Sequence, residues 1–219
     1  MVNTLLAGLT VLIIGDSHLT TPGYLITSLH DDLARQGAIV HSVGVCGANA
    51  GDWLKATPGT CGGAERKGDG PVDIKGPSAA TTPIKTLIAQ DKPDLVVVVM
   101  GDTMAGYTKP DFPKTWVWQQ VTGLTKEIAS TNTQCLWVGP AWGSEGGKFG
   151  KTFARVQQMS TFLSSNVAPC AYVDSLKFAK PGQWATVDGQ HFTATGYKSW
   201  GDAIAQAIVE TKPTKAAAR

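Results

Sequence analysis

Runs of apolar residues alternate five times with segments whose apolar positions recur at helical spacing. TVLII at 10–14 opens the series as a buried strand. A helical stretch over 22–36 follows, with Pro22 suited to a first turn and Gly37 as the stop. AIVHSV at 38–43 is the second strand, and TTPIKTLIAQ at 81–90 is helical, ending ahead of Pro93. DLVVVVM at 94–100 is the strongest strand signal: β-branched, unbroken and apolar on both faces, as the centre of a parallel sheet requires. The remaining pattern reads helix at 114–130, strand CLWV at 135–138, helix at 151–166, strand CAYV at 170–173 and helix at 194–210. Such alternation predicts a three-layer α/β sandwich with a five-stranded parallel sheet in the order 2-1-3-4-5 and right-handed crossovers.

One segment breaks the rhythm. From 44 to 80 the chain is rich in Gly, Pro, Thr and Asp without sustained periodicity, so a long structureless loop is expected there. It starts directly after the second strand, at the sheet edge where ligand-contacting loops of open α/β sheets lie. A single domain is expected over 1–211, with 212–219 (KPTKAAAR) as a frayed tail.

With 42% hydrophobic and 16% charged residues among 219, the composition is that of an ordinary globule with a sizeable core. A net charge of +2 without concentrated basic patches argues against a nucleic-acid partner. No apolar stretch is long enough to span a bilayer, and MVNTLLAGL lacks the basic region and cleavage site of a signal peptide. The four cysteines form no C-x-x-C pair, so no metal site is expected. Cys135 and Cys170 each open a strand; if those strands are parallel neighbours, a bridge joins them, and Cys46 and Cys61 are left to close a loop. Four buried free thiols are the alternative. Disulfides would mean an oxidising compartment, and the chain then reads as an exported domain, periplasmic or extracellular, with Met1 standing where a signal was removed.

The chemistry gathers at the strand ends. Gly15-Asp16-Ser17 follows the first strand, Gly44-Val45-Cys46-Gly47 the second, Gly101-Asp102-Thr103 the third and Gly139-Pro140 the fourth, with Asp188-Gly189-Gln190-His191 before the last helix. The carboxyl ends of parallel strands share one edge, so residues this distant in sequence can meet in space. Taken alone, Gly-Asp-Ser is also a turn whose Asp or Ser caps the next helix. G-D-S after the first strand together with D-x-x-H before the last helix, with the other two turns in order between them, resembles the SGNH (GDSL-type) hydrolase family.

The resemblance implies a flavodoxin-like fold, no cofactor and an ester substrate. It assigns Ser17 as nucleophile, His191 as the base and Asp188 as the carboxylate orienting the imidazole. The Ser17 and Gly47 backbone N–H groups, with a side chain from the third turn, would form the oxyanion hole. There the chain departs from the family: Thr103 stands where the pattern has asparagine, and a hydroxyl reaches less far than a carboxamide. Asp102 is a poor substitute, because a carboxylate repels an oxyanion.

Trp53, Trp142 and Trp184 sit near the same edge in sequence and are candidates for packing on sugar rings; His18, beside the nucleophile, is a further substrate-contact candidate. Trp116, Trp118 and Trp200 fall on helices and read as core. EGGKFGKT at 145–152 mimics a phosphate-cradling loop, but Glu145 occupies the first glycine position, which argues against nucleotide binding. The expectation is an esterase removing O-acetyl groups from a carbohydrate. A carbohydrate O-acetyltransferase with the same triad, or a glycan-binding module with a weakened site, are the alternatives.

Overall fold

The computed structural model of the protein describes residues 4–215. Its centre is one seven-stranded sheet in the order β4-β3-β2-β1-β5-β6-β7. The strands are β1 (Thr10–Gly15), β2 (Ile39–Val45), β3 (Gly63–Lys67), β4 (Asp73–Lys75), β5 (Leu95–Val99), β6 (Gln134–Val138) and β7 (Ala171–Val173). The ladders β2-β1, β1-β5, β5-β6 and β6-β7 are parallel, whereas β3 and β4 are antiparallel additions at the β2 edge. The sheet is therefore larger than the five strands expected. The extra pair comes from within 44–80, which is not structureless: β3 is the short polar run GAERK, too brief and too charged to carry a period-2 signal of its own.

The side chains of β1 alternate between the two faces, which explains the three layers. Val11 and Ile13 join Val97, Val99 and Val138 beneath α1 (Ser28–Arg35) and α5 (Ala194–Glu210). Leu12 and Ile14 join Val96 and Val98 on the opposite face, covered by α2 (Ile84–Asp91), α3 (Lys114–Ala129) and α4 (Phe153–Asn166). With both faces covered, the central strands have no polar side, hence the unbroken valines of β5. Trp200 lies in the first of these cores, but Trp116 and Trp118 are exposed on α3 rather than buried.

Three helices start later than the periodicity suggested. α1 begins at Ser28, six residues after Pro22, because Gly23 adopts a left-handed φ of 88° and the chain turns before it coils. α2 begins after Pro83. α4 begins at Phe153 because the Thr152 side chain accepts the Arg155 N–H and caps it.

Both cysteine pairs form as expected. Cys135–Cys170 bridges the starts of β6 and β7 with 4.5 Å between Cα atoms, and Cys46–Cys61 closes the loop between β2 and β3 with 5.3 Å. Among the described residues no helix is long and apolar enough to cross a membrane. The expected frayed tail is tethered in part: the Gln134 amide donates to the Thr214 carbonyl at 2.5 Å. Residues 216–219 lie outside the described residues.

Candidate active site

After β2 the chain extends the sheet outward through β3 and β4, then returns through α2 to β5 on the other side of β1. The crevice at the carboxyl ends of β1 and β5 is thus a topological switch point, where open α/β sheets bind ligands. Ser17 leaves β1 into this crevice and the 101–103 turn leaves β5 beside it. Asp16 caps the short 3-10 turn Ser17–Leu19, its Oδ1 accepting the His18 N–H at 3.1 Å. Cap and nucleophile candidate are therefore adjacent residues with separate tasks.

The turn before α5 supplies the rest. His191 Nε2 lies 2.7 Å from Ser17 Oγ, and His191 Nδ1 lies 2.7 Å from Asp188 Oδ2. Asp188 Oδ1 accepts two backbone N–H groups, from Gln190 at 3.0 Å and His191 at 2.7 Å. Burial alone would raise the Asp188 pKa, but the His191 and Gln190 N–H bonds and the imidazole hold it below the usual carboxylate range. Burial lowers the His191 pKa, His18 lowers it further, and Asp188 opposes both without reversing the shift. The imidazole stands between aromatic walls, with Tyr24 stacked at 6.0 Å and Phe149 edge-on at 5.5 Å between ring centres. Neither wall was foreseen, and neither carries a motif.

Gly47 lies in the turn after β2 with φ of 78°, and a Cβ there would collide with the Thr60 hydroxyl. The flanking Cys46 and Ala48 N–H groups bond the Gly62 and Val45 carbonyls, whereas the Gly47 N–H has no backbone partner among the described residues.

Three expected assignments need correction. The Thr103 hydroxyl donates to the Ala48 carbonyl at 3.0 Å, so its only proton is committed and it is no oxyanion donor; it ties the third turn to the Gly47 turn. His18 is buried at 3% exposure, its Nδ1 2.8 Å from the Tyr197 hydroxyl and its Nε2 2.9 Å from Asp102 Oδ2, which leaves no ring nitrogen for substrate. Trp53 is fully buried in the core under α3 and cannot rim the site. Trp184 is half-buried, edge-on against Phe192. Trp142 is also half-buried, its indole N–H bonded to the Leu176 carbonyl, and it lines a cavity of about 610 Å³ together with Tyr172, Asp174 and Phe178.

Asp102 itself does not face the oxyanion region. It is turned inward to His18, Tyr107 and Lys151, the last fully buried. The signal in the sequence was a lysine within a glycine-rich loop, whose outward resemblance to a phosphate cradle hid its inward use.

No family model matches the chain. It is 47% identical over 211 residues to Protein BcsX of Komagataeibacter xylinus, covering 94% of this chain and 79% of that protein. In fold it is similar to a carbohydrate acetylesterase from Sinorhizobium meliloti (TM-score 0.62, 14% identity, 92% of this chain and 99% of that one). It is also similar to a GDSL-like lipase from Bacteroides thetaiotaomicron (TM-score 0.56, 14% identity, 92% and 88%). The chain belongs to the family of Protein BcsX, and its own fold is similar to that of SGNH (GDSL-type) hydrolases.

Proposed function

We propose that the protein is a serine esterase that removes acyl groups, O-acetyl foremost, from a carbohydrate. The observation that carries this reading is the unbroken hydrogen-bonded chain from Ser17 Oγ through His191 to Asp188. In it, His191 Nε2 takes the hydroxyl proton as Ser17 Oγ attacks the ester carbonyl. The Asp188 carboxylate holds the Nδ1–H tautomer and stabilises the imidazolium. The oxyanion is received by the backbone N–H groups of Ser17 and Gly47. The imidazolium then gives its proton to the departing sugar oxygen, and water repeats the sequence on the acyl-enzyme to release acetate and regenerate Ser17. No cofactor enters these steps.

The carbohydrate rests on two supports: the similarity in fold to an acetylesterase named for carbohydrate, and the half-buried rings of Trp142 and Trp184 as faces for a sugar. Two disulfides support export to the periplasm or beyond, where thiols are oxidised.

The test is acetate release from acetylated glycans and from a chain-length series of activated esters, by wild type and Ser17→Ala, with labelling of Ser17 by a serine-directed phosphonate. Acetyl preference, loss of turnover in the variant and a single label at Ser17 are expected. Equal rates in the two proteins would remove the assignment. Acetyl transfer to an added glycan in preference to water would make the protein a transferase. Glycan binding with neither turnover nor label would make it a binding module.

A further inference from the structure

The polar cluster under the nucleophile is unusual in its burial. The Asp102 side chain is 1% exposed and that of Lys151 is fully enclosed, with Lys151 Nζ 2.8 Å from Asp102 Oδ1 and 3.0 Å from Oδ2. Tyr107 donates its hydroxyl to Oδ1, and His18 Nε2 meets Oδ2 at 2.9 Å. With that nitrogen donating to the carboxylate, His18 Nδ1 is the acceptor for the Tyr197 hydroxyl at 2.8 Å. A buried ion pair adds little stability over apolar residues of the same volume, so its presence calls for a role other than packing.

Its connections suggest that role. Lys151 closes a tongue over 143–151, pairing backbone to backbone with Gly146. The tongue grips the turn that carries the base: the Ser144 N–H bonds the Gly189 carbonyl and the Lys148 N–H bonds the Asp188 carbonyl, both at 2.9 Å. Gly147 packs so closely there, at φ of 65°, that a Cβ would collide with the Asp188 carbonyl oxygen. Phe149, at the tip, walls His191. Through Lys151, Asp102 therefore holds the Asp188–His191 turn. Through His18 it holds the residue after Ser17, and its neighbour Thr103 holds the Gly47 turn. One short turn braces the Ser17, Gly47 and Asp188–His191 turns.

Resting on the esterase reading, we propose that Asp102 is a positioning residue. Together with Lys151 and His18 it holds the nucleophile, the base and the Gly47 turn in register. The third turn thus contributes alignment where the family pattern has a side-chain donor. The apparent phosphate loop at 145–152 is the brace that delivers Lys151.

The experiment compares wild type with Asp102→Asn, Lys151→Met and the double variant. Each single variant lowers kcat on the order of 100-fold with KM little changed, as a displacement of reacting groups does. Phosphonate labelling of Ser17 slows in parallel. The double variant removes both buried charges, so its melting temperature recovers towards wild type while kcat stays low. A role in stability alone would make the rate recover with the melting temperature, and that result would overturn the proposal.

An NMR titration of the histidines gives a readout that needs no activity. His191 faces His18, Asp188, Asp16 and the Tyr24 ring. In Lys151→Met the Asp102 charge loses its counterion, and the His191 midpoint rises. If the wild type neither turns over esters nor takes the label, yet Lys151→Met shows this shift, the esterase reading ends and the brace stands. An unmoved His191 in all three variants would end the brace whatever the activity.

Discussion

Ser17 and His191 are 174 positions apart in the chain and 2.7 Å apart in the fold. What unites them is topology. Parallel strands deliver their carboxyl ends to one edge, and the turn before α5 passes over that edge before its helix runs back beneath the sheet. The pair is made by the order of the sheet, and the residues at its edge then decide its chemistry.

The protonation of His191 sets the first expectation. Burial and the neighbouring His18 lower its pKa from 6.5, so the neutral base survives to lower pH than a free histidine would. The acid limb of kcat/KM against pH should therefore have its midpoint below 6.5, measured with an ester whose own ionisation is constant over the range. Asp188→Asn removes the one carboxylate in direct contact with the ring, and should lower kcat by roughly 10⁴ as the wrong tautomer becomes available.

The same physics bears on stability through His30. It is buried, with Nδ1 2.8 Å from Ser42 Oγ and Nε2 2.9 Å from the Gly68 carbonyl, and burial lowers its pKa from 6.5. A folded pKa below the unfolded one means that the unfolded chain takes up the proton first. Its stabilising contribution is present above pH 6.5 and is lost as the pH falls towards the folded value. Urea midpoints measured from pH 8 to pH 5 should decline over that window, and His30→Gln should decline less steeply.

Much of this could be read before any coordinates. The unbroken valines at 96–99 announced a strand buried on both faces. The G-D-S and D-x-x-H turns announced the triad geometry, because each motif sits at the end of an element that periodicity had already placed. What escaped had no local signature. β3 and β4 are polar and short, held by the neighbouring strand β2 rather than by their own pattern. Trp53 and Trp116 are the same residue type, yet Trp53 is packed into the core beneath α3 and Trp116 stands on the outward side of that helix, a difference that only tertiary packing decides. Thr103 looked like a weakened donor because its partner, the Ala48 carbonyl, lies 55 residues away.

Gly47→Ala should separate conformation from space. The new Cβ meets the Thr60 hydroxyl and must also adopt φ near 78°. A stability loss of about 1–3 kcal/mol is expected from the backbone strain. Displacing the N–H from the oxyanion should lower kcat on the order of 100-fold. Adding Thr60→Gly relieves the collision but not the φ, so partial recovery of stability without recovery of kcat is the outcome to look for.

Trp53 and Trp142 should respond in opposite ways. Trp53→Ala empties a fully buried site and should cost about 3–5 kcal/mol in denaturant unfolding with KM little affected. Its indole N–H finds no partner among the described residues, so Trp53→Phe should be far milder. Trp142→Ala should leave the unfolding midpoint nearly in place and raise KM for an acetylated glycan. An unchanged KM would detach that ring from the substrate.

The two disulfides offer the sharpest contrast between stability and activity. In the chain-entropy account a cross-link stabilises more as its loop lengthens, by about 3 kcal/mol for a loop near 15 residues and somewhat more for a longer one. Cys46 and Cys61 are separated by 15 positions, Cys135 and Cys170 by 35. Replacing the second pair by alanine should therefore cost more stability. That bridge ties the starts of β6 and β7, at the sheet edge opposite Ser17, so the folded variant should keep its kcat. The first bridge is anchored at Cys46, next to the Gly47 N–H that is to receive the oxyanion. Its loss should cost less stability but lower kcat, because the turn loses its covalent tie and is left to hydrogen bonds, among them Thr103 to Ala48, Cys46 to Gly62 and Thr60 to Cys46. Unfolding midpoints and kcat measured on the two double-alanine variants check the crossing. If both activities fell in proportion to stability, the Gly47 turn would have no special dependence on its bridge.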